Sequence, residues 1–480
     1  MRRTAFAGLA RGRLGLEHGR LDKQAPFRVA LACPSTYRVG MSSLGLLQVY
    51  RSIQAEPGMA CERFFLPDDA GTGPLESGLW SYEALSHLGD FPVVALSVAY
   101  ELEVGGVYQL LAAGGIPALR QERGEGDPIV LAGGPLTYAN PLPLAPFVDA
   151  IVMGEADTLA VEALRQVRDG AGRAATLAAL AVTDHVYVPD HHDEALPSLA
   201  CCDDSCLPAV SPIRTPDTEL SDMVLVEAVR GCSRACAYCV MRRGSGAGMR
   251  VVPRERLLEA IPPDAARVGL VGAGVSDHPE MLTILGVLAE RGAHVGLSSL
   301  RPDRLDDAVV AALRDVGYRT LTTALDGASE RLRQSLDRRT RADHLVRAAE
   351  LARRHGLARL KLYLMLGLPG ETAADVAECI ALVDELSRIV PTALAVAPFC
   401  AKRNTPLAGA PFAGIDVIGR RLTQLRKGLR GRVDLRPTSA RWAWVEHVLA
   451  QGGAAAGRAV REAVLAGGRF RHYQRALRPQ

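Results

Sequence analysis

Lysine is nearly absent from this sequence. It occurs only at Lys23, Lys361, Lys402 and Lys427, although the 480 residues include 56 basic ones. The shortage reads as a drift toward arginine rather than as an interaction surface. Lys361 and Lys402 stand inside motifs described below, where an ammonium is a more pointed choice. Charge of either sign is also nearly balanced, at a formal net +3. No basic block interleaves with aromatics, so no nucleic-acid partner is implied by charge. Long apolar runs are missing too. Nothing approaches 18 consecutive strongly apolar residues, so no membrane span is expected. The start, Met1-Arg2-Arg3-Thr4-Ala5-Phe6-Ala7, has a twin arginine but no h-region or cleavage site, and neither an export signal nor a transit peptide is expected. Ten cysteines in a chain of this length are too few for a secreted disulfide framework. A reducing, cytoplasmic setting is expected.

What the chain does have is a concentration of thiols. Cys232, Cys236 and Cys239 are spaced C-x3-C-x2-C, directly after the apolar run Met223-Val224-Leu225-Val226-Glu227-Ala228-Val229. That run reads as a buried strand. Three thiolates on the following loop can hold an iron–sulfur cluster. A fully ligated four-iron cluster takes four cysteines, so three leave one iron open to a substrate. The competing reading is a structural zinc knot or three unrelated thiols. Zinc normally takes four nitrogen or sulfur ligands, and no histidine or fourth cysteine lies nearby in sequence.

The first half alternates strands and helices. Residues 1–25 are polar, Arg/Gly-rich and read as a surface arm. Strands are expected at Arg28–Cys33, Cys61–Phe65, Val93–Val98, Ile129–Ala132 and Ala150–Met153. Helices are expected at Ser43–Ile53, Tyr82–His87, Val107–Ala113 and Thr158–Arg168. Such an alternation over 26–190 predicts an open parallel Rossmann-like α/β sheet, with ligands beyond the carboxyl ends of the strands. The loops there are Pro34–Gly45, Ser97–Glu101, Gly133-Gly134-Pro135 and Gly154-Glu155. This stretch resembles the cobalamin-binding-type domain found upstream of some radical S-adenosylmethionine enzymes. The resemblance implies that Ser97, Gly133 and Gly134 face cobalamin. Members that ligate cobalt by histidine read Asp-x-His-x-x-Gly in the first loop; here the positions are Ser35, Tyr37 and Gly40. Cobalamin binding and a scaffold role therefore both stay open. Residues 191–220 read as a linker. It follows His185, contains His191, His192, Cys201, Cys202 and Cys206, and its composition alone leaves a second metal site open.

From Met223 a second alternation begins. Strands are expected at Met223–Val229, Val268–Gly272, Val295–Ser298, Thr320–Ala324, Leu360–Leu366 and Leu394–Pro398. Amphipathic helices are expected at Pro279–Arg291, Leu305–Val316, Ala342–His355 and Ala373–Leu386. Six βα units over 221–410 predict a partial (β/α)6 TIM barrel with its site at the strand carboxyl ends. A helical extension over 411–480 follows.

The cysteine loop on the first strand, with Tyr238 before its last cysteine, is similar to the signature of the radical S-adenosylmethionine (radical SAM) superfamily. The resemblance implies a 4Fe–4S cluster on Cys232, Cys236 and Cys239. It also implies that S-adenosylmethionine is cleaved to a 5′-deoxyadenosyl radical, the cofactor carrying the chemistry. It assigns Gly272, Ala273 and Gly274 to the methionyl end. Ser299 and Arg301 fall to ribose or carboxylate, and Asp326 to an uncertain contact after strand four. Gly367, Leu368 and Pro369 fall to adenine, and Tyr238 lies beside the cluster. Lys402 is left between a carboxylate or phosphate contact and a solvated charge. An electron donor such as a flavodoxin or ferredoxin is implied. A radical methylthiotransferase needs a second three-cysteine cluster in its leading domain, where only Cys33 and Cys61 lie, so that activity is not expected. The alternative is a non-catalytic iron–sulfur electron-transfer or scaffold protein. The substrate is not legible.

Overall fold

The computed structural model describes residues 3–75, 78–241, 248–298 and 300–478. They form two compact units. The first takes residues up to 224 and from 448 onward; the second takes the described residues from 225 to 447.

In the first unit all five expected strands form: β1 (Phe27–Thr36), β2 (Met59–Leu66), β3 (Val93–Ser97), β4 (Ile129–Gly133) and β5 (Ala150–Val152). A short antiparallel strand, β6 (Val186–Tyr187), was not expected. The order is β2-β1-β3-β4-β5-β6, parallel from β2 to β5. Val29–Leu31 and Val93–Val94 are fully or almost fully buried, the mark of a parallel sheet covered on both faces. The strand order reverses between β1 and β3, the switch point where open α/β sheets bind ligands. The helix Ala454–Leu465 packs on the helix Val104–Ala113, and Asn140 Nδ2 donates to the carbonyls of Leu449, Ala450 and Gly452.

Two expectations for this unit are corrected. Residues 1–25 are not a loose arm, because Arg3–Gly15 is a helix with Phe6, Ala10 and Arg13 buried. Its eleventh position looks too polar for a core face, yet Arg13 is inserted there as a charged anchor. Its guanidinium reaches Asp217 (2.6 Å) and the Tyr82 hydroxyl (2.7 Å), and it lies over the Tyr37 ring. Tyr82–His87 is a turn rather than a helix, with Leu85 at a left-handed φ of 57°. Tyr82 is buried against Phe6, Tyr37 and Phe65 instead of lying on a helix face.

The second unit holds β7 (Val224–Glu227), the ribbon β8 (Val229–Arg230) with β9 (Arg250–Val251), and β10 (Arg267–Val271), β11 (His294–Leu297), β12 (Thr320–Asp326), β13 (Arg359–Leu366) and β14 (Thr392–Pro398). All six expected barrel strands are present. A seventh, β15 (Asp434–Pro437), follows the helix Ile415–Leu429. One ladder runs β11-β10-β7 and another β12-β13-β14-β15. Among the described residues a single parallel bridge, Leu300 to Thr323, joins them. Among the described residues no pairing closes β7 onto β15, so this is an open, partial barrel. Leu360, Leu362, Leu364 and Leu366 of β13 are buried on the face that meets the helix Ala342–Arg354. No helix among the described residues is long and apolar enough to cross a membrane.

Candidate functional site

The cysteine loop leaves β8 at the carboxyl end of the second sheet. Cys236 is 6% exposed; Cys232 and Cys239 are partly exposed. Two sets of contacts hold the loop. On one side the Ala237 amide donates to Leu336 O (2.9 Å), and the Cys236 thiol lies 3.9 Å from Asp337 O. Beside it Arg338 pairs with Asp326, whose carboxylate also receives the Tyr238 hydroxyl. Asp326 ends β12 at a left-handed φ of 63°, after a register shift that turns its side chain toward the loop. On the other side Ser233 Oγ donates to Asp277 Oδ2 (2.6 Å), which also receives Arg301, while Asp303 receives Arg301 (2.8 Å) and Arg234. Burial pushes the Cys236 thiol up, against the pull of the Arg338 guanidinium, and burial pushes Cys239 up as well. A bound metal would supply the positive charge that keeps such thiols ionised.

The donor set discriminates between metals. Around one zinc ion, bonds of about 2.3 Å bring the sulfurs within about 4 Å of each other. Among the described residues only Glu155, Asp157 and Cys202 bring three ligand atoms within 4.8 Å of one another. The three loop thiols are more widely spread. That spread suits a multi-iron cluster better than a single zinc ion.

The other expected residues are placed as follows. Gly272 follows β10 at φ 152°, where a Cβ would stand 2.5 Å from Val229 O, so only glycine lets β10 end this close to the cysteine strand. Ala273 is exposed and Gly274 is buried. Ser298 Oγ donates to Gly272 O (3.1 Å), whereas Ser299 lies outside the described residues. Arg301 and Asp326 are both at the site, but each already holds the loop. Leu368 is buried and Pro369 exposed, and the Gly367 amide donates to both Glu371 carboxylate oxygens (3.0 and 3.1 Å). Lys402 pairs with Glu446 at 2.8 Å, so it is not a bare loop charge. Asp277, Asp303 and Arg338 were missed by sequence reasoning. The only signal was Asp277 itself, an acid where a phosphate-binding loop would carry glycine.

After the Gly367 turn, Thr372 caps the helix Ala373–Ile389, and Asp375 completes the capping box. Asp375 also receives Ser329 Oγ and Arg331. Burial works against its charge, but these donors outweigh it and hold the carboxyl well below its usual range. Between the folded and unfolded values the native state binds fewer protons, so the stabilisation is complete above about pH 4 and is lost as pH falls through the folded value. The thermal midpoint is expected to drop more steeply from pH 5 to pH 3 in wild type than in Asp375→Asn. Parallel calorimetric profiles would contradict this.

In the first unit the loops at the sheet's carboxyl edge are tied together. Glu103, buried, accepts from Ser35 Oγ (2.9 Å) and the Ala99 amide (2.6 Å), joining the loops on either side of the switch point. Burial pushes its carboxyl up. Ser97 pairs with Gly133. Gly134, at φ 105°, lets its turn press on Val98, whose oxygen would meet a Cβ at 2.7 Å. Thr137 Oγ1 donates to Gly134 O (2.7 Å) and accepts from the Gly154 amide (3.2 Å). Tyr37 is wholly buried, and its hydroxyl donates to Glu17 (2.8 Å), so it offers nothing to a metal at this edge.

The expected linker is partly structured. Ala200 forms a bridge with Gly154, and Cys202 N donates to Glu155 (3.0 Å). His185 contacts Ser198 O and His192 accepts from Val188 N. The group that gathers is therefore Glu155, Asp157 and Cys202, not the histidines with Cys202 and Cys206.

Two family models match the chain. Residues 45–189 match "Radical SAM proteins, N-terminal", and residues 226–383 match "Radical SAM superfamily". The chain belongs to the radical SAM superfamily. It is 27% identical over 346 residues to an uncharacterized protein of Methanocaldococcus jannaschii, covering 69% of this chain and 71% of that protein. It is 30% identical over 207 residues to the ribosomal protein uS12 methylthiotransferase of an Anaeromyxobacter species. That match covers 39% of this chain and 43% of the relative, less than half the relative's length. Among solved structures, the radical S-adenosylmethionine methyltransferase TsrM from Kitasatospora setae, with cobalamin and a 4Fe–4S cluster bound, is similar at TM-score 0.54 and 14% identity, over 82% of this chain and 75% of that one. The cobalamin-dependent S-adenosylmethionine radical enzyme OxsB is similar at TM-score 0.51 and 11% identity, over 83% of this chain and 56% of that one. At these identities the likeness is one of fold.

Proposed function

We propose that this chain is a radical SAM enzyme whose 4Fe–4S cluster is held by Cys232, Cys236 and Cys239. The observation that carries the reading is the loop itself: three thiols, too widely spread for one zinc ion, are clamped at the carboxyl end of an open barrel. When bound, such a cluster supplies the electron that splits S-adenosylmethionine into methionine and a 5′-deoxyadenosyl radical. The chain's own residues orient the cofactor and exclude water. Gly272, Ala273 and Gly274 offer backbone beside the loop, Gly367, Leu368 and Pro369 form a fixed turn after β13, the strand next to β12, and Tyr238 walls the loop next to Cys239. Ser299 is assigned to the same cofactor by its place after β11. Arg301 and Asp326 act by positioning the cysteine loop. The electron comes from a small donor such as a flavodoxin or ferredoxin.

Cobalamin is proposed at the carboxyl edge of the first sheet, over Ser97, Gly133 and Gly134. The tied loops at the β1/β3 switch point and the close turn at Gly134 suit a large planar ligand. With Tyr37 buried on Glu17, the cobalt would receive no lower ligand from that position. Together the two sites support methyl transfer ahead of rearrangement or oxidation.

The deciding experiment is anaerobic reconstitution, reduction and product analysis. Cluster-loaded protein with S-adenosylmethionine is expected to yield 5′-deoxyadenosine or S-adenosylhomocysteine; the absence of both products would overturn the reading. Titration of the full chain with cobalamin is expected to shift its visible spectrum at one equivalent. The full chain is needed because residues 448–478 complete the first unit.

A further inference from the structure

The sheet of the second unit has an open face whose groups the cofactor chemistry does not use. Residues on β13 alternate. The four leucines are buried, while Lys361, Tyr363 and Met365 occupy the opposite side. Tyr363 is 39% exposed, in the middle of a parallel ladder. Its register partners are Ala324 on β12 and Ala395 on β14, and those of Lys361 are Thr322 and Ala393. These small side chains leave space over the ring. Tyr318 stands close by, its hydroxyl donating to Leu297 O (3.3 Å). Burial pushes that phenol up to about 12, so it stays neutral.

The ammonium is distinctive. Lys361 Nζ lies 4.9 Å from the Tyr363 ring centroid. Among the described residues it has no hydrogen-bond or ion-pair partner. The neighbouring cations are paired, since Arg359 and Arg436 share the Asp434 carboxylate. Lys23 is spent on the carbonyls of Gln54 and Glu56, and Lys402 on Glu446. In a chain that uses arginine almost everywhere, a part-buried lysine over an exposed ring keeps a compact point charge that a guanidinium fork does not reproduce.

We infer that Lys361 and Tyr363 select the substrate, and that its class is a planar, largely apolar ring carrying a carboxylate or phosphate. The ring stacks on Tyr363 and the oxyanion pairs with Lys361, which among the described residues of this face is the cation left without a carboxylate. Tyr363 lies four residues, roughly 13 Å, below Gly367 along the strand. The anion therefore marks the end of the ligand remote from the reacting carbon. The assignment rests on the proposed radical chemistry for what is done to the ligand, but its binding does not require turnover.

The test is calorimetric titration of the cluster-loaded full chain with matched probes: indole-3-acetate against indole-3-acetamide, and phenyl phosphate against phenol. Wild type is expected to bind at least one anion about tenfold tighter than its neutral twin, the discrimination of one charged hydrogen bond. Lys361→Met and the more isosteric Lys361→Gln are expected to abolish that preference, and Tyr363→Leu to weaken both members of the pair. Iron content and circular dichroism confirm that each variant is folded. Equal binding of both twins by wild type overturns the inference, as does a preference that survives in a folded Lys361 variant. Anion preference in a protein that forms neither 5′-deoxyadenosine nor S-adenosylhomocysteine would leave this site standing and overturn only the radical reading.

Discussion

Cys236→Ala is expected to lose essentially all cluster iron and to bring S-adenosylmethionine cleavage down to background. Cys236 is the most buried of the three thiols, and its neighbour Ala237 is fixed by the Leu336 carbonyl. The loop therefore cannot slide to present another donor. With two ligands left the cluster has lost a corner, and the Cys239 thiol, raised by burial, has no metal charge to keep it ionised. Cys400→Ala is the matched control. That thiol lies at the carbonyls of Pro398 and Ala443, and its loss should leave the iron in place. Iron per chain, sulfide per chain and 5′-deoxyadenosine yield read the outcome. Full iron in Cys236→Ala would contradict the ligand assignment.

Arg63→Met is expected to cost about 3–5 kcal/mol in the first unit, the usual result of removing one partner from a buried ion pair. Arg63 is wholly buried on β2 and donates to both Glu17 oxygens at 2.8 Å, while Glu83 receives it from the other side. Burial opposes the charge, but Glu83 and Glu17 outweigh it and the guanidinium stays firmly protonated. Without it two carboxylates are left in the core facing methionine. Calorimetry should show the transition of the first unit falling, while cluster loading in the second stays in place. Adding Glu17→Gln and Glu83→Gln to Arg63→Met should recover part of the loss. A single variant with an unshifted transition would show that the triad contributes nothing.

The strands were legible because a parallel sheet buried on both faces leaves apolar runs of four to eight residues. Val29–Leu31 could hardly be read otherwise, and the alternate leucines of β13 mark a strand with one face covered and one open. β15 escaped because it is an edge strand: Asp434-Leu435-Arg436-Pro437 has one apolar residue and needs little burial to pair. The helix Arg3–Gly15 escaped because an arginine holds part of its inward stripe. The three cysteines were legible as chemistry, since their spacing is local. Their supports were not. Ser233 meets Asp277 and Arg301, and Ala237 meets Leu336, so the partners lie tens to a hundred residues away, where only the folded sheet brings them together. Tyr238 was assigned to the site from its position alone; its bond to Asp326 needed the left-handed turn that ends β12.

The return of residues 448–478 to the first sheet bears on how the chain is made. In the second unit each strand from β10 to β15 pairs with its successor, apart from the single-bridge joint at Leu300, so the barrel can assemble strand by strand as it leaves the ribosome. The first unit cannot. Asn140 waits for carbonyls more than 300 positions downstream, and the face of the helix Val104–Ala113 turned away from β1 and β2 stays uncovered until Ala454–Leu465 has been synthesised. At about 5–20 residues per second, that leaves an apolar helix face bare for tens of seconds in every nascent chain. The domain translated first is thus the domain finished last, and the interval is an opening for chaperones.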